Sequence, residues 1–131
     1  MKIRKHLLLV TLLSALFSTS IHASNMKKEI NHLLSFVENT ECLFERNGTS
    51  HIGKDASEHI IKKYNYYIND IDSTEKFIDL SASKSTMSGK YYMIACKGKQ
   101  KIKSQEWLLQ ELRKFRSQSL PSNASQNNAT P

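Results

Sequence analysis

Apolar residues at Ile30, Leu33, Leu34 and Val37 recur at three- and four-residue steps. That spacing puts them on one face of a helix over residues 26–39. The period then changes to two. Cys42 and Phe44 alternate with Leu43 and Glu45, and Asn47-Gly48 follows. Both central residues of a type I′ turn need positive φ, which Asn and Gly tolerate, so residues 43–52 read as a two-stranded hairpin. Asp55-Ala56-Ser57-Glu58 resembles a capping box with Asp in the cap position. The helix that it opens repeats Ala56, Ile60, Tyr64 and Ile68. Asp72-Ser73-Thr74-Glu75 repeats the cap pattern ahead of a shorter helix carrying Phe77, Ile78 and Ala82. Residues 91–96, "YYMIAC", are β-prone and form a third strand. The alternating Lys97, Lys99, Lys101 and Lys103 read as a charged loop or an edge that resists further pairing. Ser104 is the expected cap of a last helix whose Leu108, Leu112 and Phe115 face the core beside Trp107. The order predicts an α+β domain: a small three-stranded antiparallel sheet, hairpin plus one strand, packed with about four helices.

The chain begins with a basic stretch (Lys2, Arg4, Lys5) and an apolar run over residues 7–17, too short for a membrane span. Ile21-His22-Ala23 ends it as an imperfect small-residue cleavage site. Residues 1–23 therefore read as a signal peptide, 24–116 as one domain, and 117–131, rich in Ser, Asn and Gln, as a disordered tail. The expected location is periplasmic, or fully secreted, with no stable membrane insertion. Three of the nineteen Lys and Arg lie in the signal, so sixteen remain against twelve acids, a net +4. An excess so small and so dispersed argues against a nucleic-acid partner.

Two cysteines, Cys42 and Cys96, in an exported chain read as one disulfide. Two free thiols or half of a zinc site are the alternatives, but zinc wants four ligands and C-x₂₋₄-C pairing is missing. The spacing favours no metal and no cofactor.

The segments "CLFERNG", "ASEHIIKKY", "EKFIDLSASKSTMSGKYYMI" and "SQEWLLQELRKF" resemble the YfeK-like family of small exported bacterial proteins. The likeness covers about residues 42–115. Its most specific pieces are Arg46-Asn47-Gly48, Ala82-Ser83, and Ser88-Gly89-Lys90 with Tyr92. The resemblance implies a bacterial source, export and a cysteine pair at Cys42 and Cys96. The family is a domain of unknown function, so no reaction, ligand or cofactor comes with it. A bacterial source also makes the sequons at Asn47, Asn123 and Asn128 poor glycosylation sites.

"SASKSTMSGK" (residues 81–90) carries the densest candidate chemistry. Ser81 and Lys84 have the spacing of a serine nucleophile and its lysine base, yet the S-D-N and K-T-G partners of such enzymes are missing. Ser88-Gly89-Lys90 ends like a P-loop without its first glycine or its final hydroxyl residue. A Cys-His nucleophile from Cys42 or Cys96 with His51 or His59 would need a free thiolate. No catalytic residue is assigned. The favoured reading is a non-enzymatic binding or interaction module in which Arg46, Ser88, Gly89 and Lys90 receive an anion. Its partner would be an envelope protein, a peptide or an anionic glycan. A small periplasmic hydrolase is the alternative.

Overall fold

A computed structural model describes residues 18–120. The basic stretch and apolar run of the expected signal, and the chain beyond Leu120, lie outside them. The elements are α1 (Ser18–Glu38), β1 (Leu43–Arg46), β2 (Thr49–His51), α2 (Gly53–Tyr66), a 3₁₀ turn (Ile68–Asp70), α3 (Thr74–Ala82), β3 (Met93–Ala95), β4 (Ile102–Lys103) and α4 (Ser104–Ser119). The expected cleavage point after Ala23 falls within α1, and α4 runs three residues past the domain end expected at 116. Ser117 and Ser119 sustain that last turn by donating to the carbonyls of Lys114 and Phe115.

The hairpin forms as its turn dipeptide dictates, with Asn47 at φ 49° and Gly48 at φ 79° and Arg46 opposite Thr49. The sheet is antiparallel in the order β2-β1-β3-β4, so the α+β class holds with four strands rather than three. The extra strand is Ile102–Lys103. Only two residues long, it is specified by pairing Ile102 with Ile94 and Lys103 with Met93. Its own sequence offers no run of β-formers. Cys42 and Cys96 are bonded, with Cα atoms 4.4 Å apart. They close the ladder one residue beyond the Leu43–Ala95 pair.

Three expected caps shift. α2 begins at Gly53, with Ile52 in the cap position and no side-chain cap bond, so Asp55 sits inside the first turn. There its charge still meets the positive end of the helix. α3 is capped by Ser73 rather than Asp72, its side chain accepting from the Lys76 N–H. Ser104 is the first residue of α4 rather than its cap.

One face of the sheet meets the helices. Phe44 and Ile94 pack with Ile30, Leu33 and Val37 of α1, Ala56 and Ile60 of α2, Phe77 and Ile78 of α3, and Leu108 and Leu112 of α4. Aromatic contacts extend this core between α1 and α4. Trp107 stacks on Phe36 at 4.4 Å and meets the edge of Phe44 at 5.6 Å, while His32 stacks on Phe115 at 4.1 Å. Such pairs add about 0.5–1.5 kcal/mol each beyond their buried area. Farther along, Arg116 donates to Glu29 from Nε (2.8 Å) and Nη2 (2.9 Å) and to Glu75 from Nη1. Glu29 also accepts from the Thr74 hydroxyl. These bonds hold the Glu29 and Glu75 carboxyls below the usual carboxylate range and join α1, α3 and α4 at one end. No helix among the described residues is long and apolar enough to cross a membrane.

Candidate functional site

The segment 83–92 folds back on itself. Tyr92 N–H donates to Ser83 O, Ser85 N–H to Lys90 O, and Gly89 N–H to Ser85 O, each at 2.9 Å. Lys84 bridges Tyr91 across the base, and Gly89 turns the chain at φ 69°. Hairpin and loop are clasped together: Ser88 Oγ donates to Asn47 Oδ1 at 2.8 Å. Ser88 N–H donates to Ser85 Oγ, and Lys90 N–H to Ser88 Oγ, both at 3.3 Å. The three N–H groups that could cradle an anion therefore all have partners within the loop. The Lys90 side chain is exposed. Of the expected anion set, the loop supplies support for Asn47, while Arg46 at the end of β1 faces a different space.

That space is a cleft between the hairpin, α2 and the start of α4. Glu45, Arg46, His51, His59, Tyr92 and Ser104 line it over an apolar floor of Phe44, Ala56 and Ile60. Phe44 and Arg46 are two apart on one strand, so they share a face, and His51 is the cross-strand partner of Phe44. His59 and Lys63 stand one turn apart on α2. His59 Nε2 lies 3.1 Å from the Tyr92 hydroxyl, and Lys63 Nζ lies 5.2 Å from the centre of the Tyr92 ring while donating to the Lys84 carbonyl at 2.6 Å. The interior volume is about 10 Å³, room for about one water.

Cations outnumber acids around the cleft, where Glu45 is a lining carboxylate. Burial, then the charges of Arg46, Lys63, His51 and Lys62, push the His59 imidazole down from 6.5 to about 4. Burial, then Arg46 and Lys84, lowers the Lys63 ammonium, and burial raises the Tyr92 phenol. Among the described residues neither Arg46 nor Lys63 is paired with a carboxylate. Glu45, the acid at the rim, is bonded to Lys101. His59 is therefore neutral at pH 7 and exchanges a hydrogen bond with Tyr92. Ser104 is fully buried, and among the described residues its hydroxyl has no partner.

A stability consequence follows from His59. Its folded pKa lies below its unfolded value, so the unfolded chain takes up the proton first and native stability falls as pH drops from about 6.5 toward 4. The loss by pH 5 should be about 1 kcal/mol, allowing for the screening of a half-buried group. Urea unfolding at pH 7 and pH 5 checks it. His59→Gln should have a flatter profile than the parent, and equal slopes would contradict the assignment. Glu29 and Glu75, whose carboxyls are lowered, contribute stability that is present above the carboxylate range and is lost only as pH falls through it, so they change little between pH 7 and pH 5.

The other sequence candidates are placed apart from the cleft. Ser81 is 0% exposed within α3, where no substrate could meet its hydroxyl, and Lys84 is exposed beyond the helix end. Cys42 and Cys96 are bonded to each other, which leaves no thiolate for His51 or His59 to activate. Among the described residues no three of His, Cys, Asp and Glu gather around a space that could hold a metal ion. Sequence reasoning missed Tyr92 and Ser104 as lining residues of one cleft, and Lys63 as the cation beside it. The four-residue step from His59 to Lys63 was the available signal.

A model of a family of unknown function, DUF5329, matches residues 24–116. The chain is also 38% identical, over 64 residues, to a protein of Salmonella typhimurium described as uncharacterized protein YfeK, covering 48% of this chain and 53% of the relative. The chain thus spans about half the length of that curated relative. No solved structure matches.

Proposed function

This chain belongs to the DUF5329 family of unknown function, and we propose that it is a binding module of the bacterial cell envelope that recognises an anionic group at the cleft of Arg46 and Lys63. The observation that carries this reading is that Arg46 and Lys63 have, among the described residues, no carboxylate partner, and that they stand beside a neutral His59–Tyr92 pair. A carboxylate or phosphate oxygen would relieve their mutual repulsion and accept charge-assisted hydrogen bonds. The interior, with room for about one water, excludes a whole substrate, so a single anionic oxygen would enter beside Arg46 while the rest of the ligand lies across the hairpin and α2. The Ser104 hydroxyl borders the same floor as a spare polar group. Export rests on the basic and apolar character of residues 1–23. A bonded cysteine pair is in keeping with an oxidising compartment.

The test is a thermal-shift survey of peptides with a free C-terminal carboxylate, uronic-acid oligosaccharides and phosphosugars. At least one class should raise the melting temperature, because a ligand that prefers the native state stabilises it. Arg46→Ala/Lys63→Ala should then weaken binding about ten- to hundred-fold. Lys90→Ala, on the exposed loop, should change it far less. Unaltered binding by the double variant, or no shift with any class, would refute the proposal.

A further inference from the structure

The clasped loop has a feature that the anion cleft leaves unused. Met87 stands at its tip and is 99% exposed. Exposed apolar side chains are ordinary on mobile loops, but this loop is pinned at its base and sides. Besides the internal bonds described above, Asn47 holds Ser88, the Tyr67 hydroxyl lies 3.2 Å from Thr86 Oγ1, and Lys63 grips the Lys84 carbonyl. The backbone therefore holds Met87 outward. Lys84 and Lys90 flank it on the two arms of the loop, both exposed. Tyr91, 46% exposed, lies at the base under Lys103, whose Nζ is 4.0 Å from its ring centre. Tyr66, 80% exposed, packs against Tyr67 where that residue braces the loop. Residues 83–92 contain no acid.

We infer that this loop is a peripheral docking wedge for an anionic phospholipid surface. The shape decides the class of partner. A convex tip with one apolar side chain offers a folded protein no groove and little contiguous area, whereas a bilayer interface deforms around it. Met87 would enter the boundary between headgroups and acyl chains. Tyr66 and Tyr91 would lie at headgroup level, where amphipathic rings are favoured. Lys84, Lys90 and Lys103 would meet lipid phosphates with their stems along the apolar layer. One inserted methionine, two tyrosines at headgroup level and three lysines make a reversible contact, far short of transmembrane insertion.

The exported protein purified from the periplasm, with its disulfide intact, is tested by co-sedimentation with vesicles of phosphatidylglycerol and phosphatidylcholine against vesicles of phosphatidylcholine alone. Binding should require the anionic lipid and weaken with added salt. Lys84→Glu and Lys90→Glu should each reduce the partition coefficient about five-fold or more, and Met87→Asp more than ten-fold. All three positions are exposed, so unfolding is not the expected cause, and an unchanged melting temperature verifies this. Lys27→Glu, on exposed α1, should leave partitioning within two-fold. No preference for anionic vesicles overturns the inference, as does full partitioning by Met87→Asp/Lys84→Glu. Loss of partitioning with Arg46→Ala while Met87→Asp still binds would assign the contact to the cleft and equally overturn it. Retention on an acidic polysaccharide without vesicle binding would do the same.

Discussion

Replacing Gly53 with alanine is expected to destabilise the protein by roughly 3 kcal/mol or more, at the upper end of overpacking effects. A methyl group built there would lie 2.2 Å from the Val37 carbonyl oxygen and 3.1 Å from both the Glu38 carbonyl oxygen and Thr40 Cγ2. Two of these atoms belong to the backbone at the end of α1, so no side-chain rotation relieves the overlap. Helix propensity alone points the other way, favouring alanine over glycine by about 1 kcal/mol. The contact is the larger effect, because either α1 must move off α2 or the first turn of α2 must unwind. Urea unfolding decides it. The midpoint should fall with an unchanged slope, and a midpoint at or above the parent's would mean that the helices separate at little cost.

Breaking the Cys42–Cys96 bond is expected to be comparably severe. The bond closes a segment with a sequence separation of 54. In the chain-entropy model that is worth up to about 4 kcal/mol, a large part of the ~5–15 kcal/mol that holds a domain together. Melting of the Cys42→Ala/Cys96→Ala variant, or of reduced protein, should fall on the order of 15 °C or more. A reduced protein melting within two or three degrees of the oxidised form would show that packing between β1 and β3 suffices without the bond.

The elements legible in the sequence are those whose signal is local. Asn47-Gly48 needs no distant partner to favour positive φ, and the apolar stripes of α1 and α4 declare their buried faces. The misplaced starts share a physical cause. Asp55 and Ser104 are good caps by type, but α2 starts earlier because the close approach of Gly53 to α1 fixes where the hairpin hands over to the helix. α4 begins as β4 ends, because Lys103 is held by Met93 and the Ser104 N–H by the Tyr92 carbonyl. β4 was obscured for the same reason: two residues become a strand only because β3 is beside them. In the site, Arg46 was legible as a candidate anion contact at the hairpin turn. Its neighbours His59, Lys63, Tyr92 and Ser104 lie on three other segments that only the folded chain brings together. The serines and lysines of residues 81–90 looked like chemistry because loop closure and catalysis draw on the same residue types.

The strand order also dictates how the chain must assemble. β1 lies inside the sheet, and its two neighbours come from very different distances along the chain: β2 is two residues away, β3 almost fifty. The β1–β2 hairpin can close in microseconds. The other edge of β1 stays open until α2 and α3 have been laid down and β3 returns, and contacts between such remote residues slow folding. During that interval the nascent molecule carries an unpaired strand with a lone Cys42 thiol at its end. The clasp between Asn47 and Ser88 can form only after the return. The slowest part of the molecule to become native is therefore the region that carries the cleft and the loop.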